Sequence, residues 1–392
     1  MLLTLLPSVP IWIESNKLIF DRKFYDGVVK YCSLWPGNVR CVMRQGNQEP
    51  PKFGLVTLYK EELPFEIQVV ESCNNITESH LADSNTVLAS GDNHELLHIS
   101  YLCKQKSIRC IYIIEYTLKT RLQIVALDAP TILHRIKRSI FTLYQERRRS
   151  KAFSLANGIQ ANGVPSFDSY RSEKKDDLLY FDNRVKPSEI ITDAQLGDRL
   201  NHLELKKPLR LAFSGRLIKI KGADDLINVA QLLSHAGVDF IFSIYGTGDL
   251  DSYMQDQIIQ NKLTAKVFLK GPVDFHSALL PALKVHTDLF VCLHKQGDPS
   301  CTYIETLSCG LPIVGYDNQA FIGILSKKDI GWSAPINDTK AIARIIGLLD
   351  NDRHLIAKKA QNSIEIAKEN DFETTFTRRI NHLAGKKEKP NN

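Results

Sequence analysis

Several features are missing from this sequence, and each absence excludes something. None of the eight cysteines forms a C-x-x-C pair. Cys32, Cys41, Cys73, Cys103, Cys110, Cys292, Cys301 and Cys309 lie mostly in apolar runs or helix patterns. That is the setting of small buried hydrophobes in a reducing cytosol, not of a disulfide framework. The histidines are scattered, with no H-E-x-x-H or comparable cluster, so no metal site is expected. No run of about 18 apolar residues occurs, so no transmembrane helix is expected. The opening M-L-L-T-L-L-P-S-V-P-I-W-I-E is apolar but has no charged leader, and Pro7 and Pro10 interrupt it. It reads as a short strand and loop, not a signal peptide. Charge of one sign is not in large excess: the net value of +6 does not argue for nucleic acid. Acids are scarce in one place. From Thr117 to Lys151 there are nine Lys and Arg, including Arg147-Arg148-Arg149, against Asp128 and Glu146. The stretch reads first as a solvated helix face; contact with anionic lipid or phosphate is the second reading.

What is present is an alternation of apolar strands and amphipathic helices. A chain of 392 residues suggests two domains, because single cores rarely grow past about 250–300 residues. In the first half, Val39 to Arg44, Phe53 to Leu58, Phe65 to Val70 and Ile108 to Ile114 read as strands. Phe24 to Leu34, Leu96 to Lys104, Leu118 to Leu127 and Ile132 to Lys151 read as helices, while Cys73 to Asn93 is polar and weakly patterned. Lys186 to Lys207 is charged and reads as a linker. Beyond Pro208 the pattern sharpens, with strands over Leu209 to Phe213, Val238 to Ile244, Lys266 to Lys270 and Leu289 to Leu293, each followed by a helix or loop. Helices are expected over Asp338 to Leu349, Arg353 to Glu369 and Phe372 to Leu383. Strands alternating with helices of 10–15 residues imply parallel sheets, and two such runs imply two Rossmann-like domains. The expected division is 1–185, a linker at 186–207, a second domain at 208–368, a C-terminal helix at 369–386 returning to the first domain, and a disordered tail at 387–392.

In open α/β sheets, ligands bind at the carboxyl ends of the strands. The residues there are chemically coherent. Ser214-Gly215-Arg216, with Lys221-Gly222 shortly after, sets a planar guanidinium and a mobile ammonium beside one strand-end loop. Two cations can neutralise a diphosphate without a metal. Gly246-x-Gly248 lets a ligand approach the backbone closely, although Asp251 breaks the full dinucleotide fingerprint. The stretch Val291 to Val314 runs strand, Gly-Asp-Pro turn, helix and strand. Ser300 falls at the expected N-cap and Glu305 just over one turn further on. Helix N-termini favour anions, and a carboxylate on such a helix can accept hydrogen bonds from vicinal hydroxyls.

Together, S-G-R-L at Ser214 to Leu217, K-G at Lys221 and Gly222, Y-G-T-G at Tyr245 to Gly248, and E-T-L-S-C-G-L-P-I-V from Glu305 resemble the nucleotide-sugar-binding half of GT-B glycosyltransferases. The specific likeness is to the retaining group known as family 4, or glycosyl transferases group 1. It is strong over about Leu209 to Leu349 and fainter before, although F-D-N-R-V at Phe181 to Val185 sits where that family has its interdomain strand. The resemblance implies an α/β GT-B fold, two Rossmann-like domains with parallel sheets facing across a cleft, the first binding acceptor and the second the donor. It implies a hexosyltransferase moving a sugar, with retention, from a nucleotide-diphosphate sugar to a glycan or lipid-linked acceptor. Cell-surface polysaccharide or glycoconjugate biosynthesis in the cytoplasm is the setting it suggests, with no metal or cofactor. Arg216 and Lys221 are then the pair on the donor diphosphate. Ser300, Cys301 and Thr302 would offer backbone N–H groups to the same phosphates, Gly215, Gly246, Gly248 and Pro299 would take part in donor binding, Glu305 would meet the ribose, and Gly271 and Val273 would lie near the base. Glu115 ends a strand where many members have a sugar-facing histidine. The basic helix of the first domain is a candidate peripheral contact with anionic membrane at the inner face.

The sequence departs from the family twice. Gly297 stands where the first carboxylate of the E-x7-E motif is expected, with Asp298 beside it as a candidate replacement. The glycine loop after the first strand is missing, its place taken by Lys17 to Lys23. Two other readings therefore stay open: a catalytically silent nucleotide-sugar-binding partner of an assembly complex, and a GT-B-fold sugar-nucleotide epimerase.

Overall fold

The computed structural model describes residues 1–51 and 54–386. Phe53, the start of one expected strand, and the tail at 387–392 lie outside the described residues. The chain divides into two compact units, one formed by Met1–Tyr180 with Thr375 onward, the other by Phe181–Thr374.

In the N-terminal unit the strands are β1 (Leu2–Leu6), β2 (Trp12–Glu14), β3 (Lys17–Asp21), β4 (Asn38–Arg44), β5 (Leu55–Tyr59), β6 (Glu66–Val70), β7 (Thr86–Ser90), β8 (Arg109–Ile114), β9 (Gly158–Asn162) and β10 (Leu178–Tyr180). Seven of them form a parallel sheet in the order β10-β9-β8-β7-β1-β4-β6. The apolar opening stretch is thus an interior strand, buried throughout and hydrogen-bonded on both edges. The segment Cys73 to Asn93 holds a strand that its polar flanks conceal: Thr-Val-Leu-Ala-Ser is fully buried as β7, and Thr86 Oγ1 at its start donates to the Leu383 carbonyl. Lys17 to Lys23 does not form a phosphate loop. It supplies β3 of a small antiparallel sheet, β2-β3-β5, and the start of the helix Arg22–Leu34. Ser15 and Asn16, both at positive φ, make the two-residue turn that twist-matched hairpins require.

The basic stretch becomes two helices, Leu118–Asp128 and Ile132–Leu155. It is not simply a solvated face. Arg149 is buried, its guanidinium donating to Asp92 Oδ1 (3.1 Å) and the Tyr116 carbonyl (3.2 Å), while Arg121 pairs with Glu146 at 2.6 Å.

In the C-terminal unit, β11 (Leu209–Ser214), β12 (Phe240–Tyr245), β13 (Val267–Gly271), β14 (Leu289–Cys292), β15 (Ile313–Tyr316) and β16 (Gly331–Ala334) form a parallel sheet. Its order is β13-β12-β11-β14-β15-β16. Helices such as Ala223–His235 and Thr339–Asn351 bury Leu226, Ile227, Ala230, Ile342 and Ile346 in one core with Leu211, Phe213, Phe242 and Val291. Burying each of the Leu, Ile, Val and Phe side chains among them is worth about 1.5–3 kcal/mol, which is why the strands read as near-continuous apolar runs.

Residues 186–207, expected as a linker, instead carry the helix Asp193–Glu204. Leu196, Arg199 and Leu203 are buried on one face, three to four residues apart, and the charged residues between them mask that spacing. Arg199 donates to the carbonyls of Cys309 (2.8 Å), Gly310 (2.7 Å), Leu283 (3.2 Å) and Lys284 (2.6 Å). Burial pushes its pKa down to about 10, so it stays charged at neutral pH. The guanidinium satisfies carbonyls that two helix ends leave without partners.

Candidate functional site

The order of the C-terminal sheet reverses direction at β11 and β14, the switch point where open α/β sheets bind ligands. The ladder between these two strands has two partner pairs, Leu211 with Leu289 and Ala212 with Phe290. The loop after β11 carries Gly215, Arg216 and Lys221. The loop after β14 carries His294 to Cys301.

The strand-end loops hold one another by backbone hydrogen bonds. Gly215 donates to the Tyr245 carbonyl (3.1 Å), Leu217 to Thr247 (3.0 Å) and Gly246 to Gly271 (2.9 Å). This close zipping is the reason for one glycine: Gly246 has φ +126°, and a Cβ there would lie 1.9 Å from the Gly215 carbonyl oxygen. Gly222, at φ +68°, ends the short turn Lys219–Lys221 and starts the helix Ala223–His235. Its missing Cβ would meet the Leu293 carbonyl oxygen at 2.0 Å, so the loop after β11 lies directly against the end of β14.

That contact brings Lys221 to Asp298. The ammonium donates to Asp298 Oδ2 at 3.0 Å with Lys221 only 8% exposed. Asp298 Oδ1 is buried and has no hydrogen-bond partner among the described residues. Such an oxygen is an acceptor left open inside a site. Gly297 is buried, and a Cβ there would sit 3.1 Å from Gln319 Cβ, so a larger side chain would have to displace Gln319. Arg216 is exposed in its loop, while Val273 is an exposed residue after β13.

Glu305 is buried on the helix Thr302–Ser308. Its carboxylate accepts from Arg184 Nε (2.8 Å) and Nη2 (3.3 Å), and the Arg184 guanidinium stacks 3.9 Å from the Phe275 ring centroid. Ser300 is not the N-cap: Cys301 takes that position without a side-chain cap, while the Ser300 hydroxyl donates to Thr302 Oγ1 at 3.0 Å. Ser300 N–H turns back to the Asp298 carbonyl at 2.8 Å, which tightens the loop around Pro299. Cys301 Sγ lies 3.7 Å from Asp182 Oδ2.

Three residues here have surroundings that the sequence does not indicate, although the loop beginning at His294 stands among the strand-end candidates. Arg184 stands within F-D-N-R-V, but nothing local ties it to Glu305. His294 is buried against Phe213 and Tyr303, and neither ring nitrogen has a partner among the described residues. Burial, reinforced by Lys221, holds its pKa well below the ordinary histidine value. Asn318 fixes the loop, donating to the His294 carbonyl (2.9 Å) while its side-chain oxygen caps the helix Gln319–Leu325.

Glu115 belongs to the N-terminal unit, just past β8. Its N–H donates to Asp92 Oδ2 (2.7 Å), and its Oε1 lies 3.4 Å from the Asn162 amide that donates to it.

Two parallel sheets of this order, the second with cations and carboxylates gathered at its switch point, define the GT-B glycosyltransferase fold. Two solved structures share it over nearly the whole chain. HepE of Anabaena, in complex with UDP, aligns at TM-score 0.67 and 13% identity, covering 98% of this chain and 99% of that one. Sucrose-phosphate synthase of Thermosynechococcus elongatus aligns at TM-score 0.66 and 12% identity, covering 98% of each. Residues 198–370, from within the helix Asp193–Glu204 through the sheet that follows it, match the family described as Glycosyl transferases group 1. The amylovoran biosynthesis glycosyltransferase AmsK of Erwinia amylovora is 26% identical over 174 residues, 41% of this chain and 42% of that protein. The chain spans about half or less of the length of the curated relatives it matches.

Proposed function

We propose that the chain is a retaining glycosyltransferase that moves a sugar from a nucleotide-diphosphate donor to a glycan or lipid-linked acceptor. The observation that carries this reading is the Lys221–Asp298 pair at the switch point, with Arg216 on the same loop and Glu305 on the adjoining helix. Lys221 and Arg216 would bind the donor diphosphate and stabilise the charge that develops on it as the glycosidic bond breaks. The work is electrostatic and requires neither a protein nucleophile nor a metal. Glu305, oriented by Arg184, would take the ribose hydroxyls. Asp298, with one open oxygen, would take the role of the carboxylate missing at Gly297 and face the transferred sugar. The match to HepE, whose structure holds UDP, makes a uridine nucleotide the first donor to test. The likeness to the amylovoran enzyme supports glycan assembly as the setting, and a cytoplasmic one suits a nucleotide-sugar donor.

A second reading, a nucleotide-sugar-binding protein without turnover, is favoured by Gly297 alone. One experiment separates the two. A thermal-shift screen of UDP- and GDP-sugars identifies the bound donor, because a ligand of the native state raises apparent stability. Release of nucleotide from that donor, with and without acceptor extracts, then reports turnover. Stabilisation without release selects the second reading; no stabilisation by any nucleotide sugar overturns both. Turnover of Glu115→Gln tests the role the resemblance implies for Glu115.

A further inference from the structure

The helix Ile132–Leu155 is built inside out. Its buried residues are Thr142, Gln145, Arg149, Ala152 and Phe153, a largely polar set. The opposite face is apolar and open. Ile132, Ile136, Ile140 and Leu143 follow one another at spacings of three and four, with Leu133 and Tyr144 beside them, and their exposure runs from 48% to 78%. Spacings of three and four place these six side chains on one stripe of an α-helix. From Thr131 to Arg138 every residue is exposed, so none of the first two turns is buried in the N-terminal unit. Isolated helical turns are marginal in water, and an apolar stripe of this extent on a water-facing surface calls for a partner.

The charges beside the stripe say which partner. No Asp or Glu occurs from Ala129 to Gln145, while Arg135 and Lys137 border the stripe on its two sides and Arg147, Arg148 and Lys151 continue the series as exposed residues. Aliphatic side chains bordered by cations fit an anionic lipid surface, where the stripe enters the acyl boundary and the basic groups meet the headgroup phosphates. Among the described residues no helix is long and apolar enough to cross a membrane, which agrees with a helix lying in the interface.

We propose that the outward face of this helix is a lipid-binding surface selective for anionic bilayers. The proposal stands on the helix alone and does not need the sugar-transfer reading, though it would bring the enzyme to a lipid-linked acceptor. The test is co-sedimentation of the full chain with vesicles of phosphatidylcholine and of about 70:30 phosphatidylcholine:phosphatidylglycerol. The wild type is expected to sediment with the anionic vesicles and to be released in part by about 0.5 M NaCl. Ile136→Asn/Ile140→Asn, at positions whose exposure leaves folding unaffected, should weaken partitioning at least about tenfold, since two buried aliphatic chains are lost. Arg135→Glu/Lys137→Glu should weaken it by a similar factor on anionic vesicles only. Circular dichroism and thermal unfolding check that both variants are folded. Failure of the wild type to bind anionic vesicles overturns the proposal, as does binding that Ile136→Asn/Ile140→Asn leaves unchanged. A dimer in light scattering that the same variant dissolves would assign the face to a second copy instead. Nucleotide-sugar turnover in detergent-free solution is read separately, so loss of vesicle binding with turnover intact leaves the functional reading standing.

Discussion

Arg184 grips Glu305 with two nitrogens, across 121 residues of sequence, while its flat face lies on Phe275. A forked guanidinium fixes both oxygens of a carboxylate in one plane, which a lysine cannot do. If Glu305 receives a ribose, Arg184 sets the angle at which it does so. Arg184→Ala is expected to cost about 1–2 kcal/mol in urea unfolding, because the largely buried carboxylate is left without its partner. It should also weaken nucleotide binding about tenfold, and Arg184→Lys should recover little of either. Tighter nucleotide binding by Arg184→Ala would mean that the guanidinium competes with the ribose instead of orienting its partner.

Lys221 and Asp298 should behave as one unit. Lys221→Ala and Asp298→Ala are each expected to lower kcat/KM at least about 100-fold, and the double variant should be little worse than the poorer single. Independent losses that multiply would show that the two groups act separately. Full turnover by Asp298→Ala would remove it from the chemistry.

Arg199 predicts a stability defect with no direct catalytic one. Replacing it by Leu leaves four carbonyls without their charged donor and should cost at least about 3 kcal/mol, seen as a lower urea midpoint at unchanged slope. The folded fraction should bind nucleotide as the wild type does. An Arg199→Leu variant as stable as the wild type would show that water can replace the clamp.

His294 makes the protein acid-sensitive. Burial lowers its folded-state pKa well below the unfolded value of about 6.5, so below that pH the unfolded chain binds more protons than the folded one. The contribution of His294 to stability is therefore full above about pH 6.5 and falls as pH drops, by up to about 1.4 kcal/mol per pH unit for one such group. His382, in the N-terminal unit, is shifted the same way by burial and adds to the slope. His294→Phe keeps an aromatic ring between Phe213 and Tyr303 and removes the titration. Its unfolding free energy between about pH 5 and 7 should be flatter than that of the wild type. An unchanged slope would place the proton uptake elsewhere.

Much of the site's location is legible in the order of residues along the chain. Arg216, Lys221, Gly246 and Gly248 can be assigned to strand ends because a parallel strand buried on both faces is a run of apolar residues, and such runs stop where chemistry begins. The helix Phe372–Leu383 has the bounds its spacing predicts, since its apolar pattern is regular. The elements that mislead are those whose polar residues are buried and satisfied by distant partners. β7 looks weak because its terminal Thr86 and Ser90 are polar, and the helix Asp193–Glu204 looks like a linker because its key buried residue is an arginine.

Local order and periodicity along this chain therefore determined the α/β architecture, the strand-end loops and the cations placed on them. The tertiary structure alone decided which charge meets which: Lys221 with Asp298, Arg184 with Glu305, Arg199 with four carbonyls, and His294 with no partner among the described residues. It also decided that the Ile132–Leu155 helix turns its apolar stripe outward. The physical reason is one of range. Helix and strand patterns arise from neighbours a few residues apart, whereas the environment of a charge or an apolar stripe is set by groups brought together across dozens to more than a hundred residues, and no local pattern encodes that.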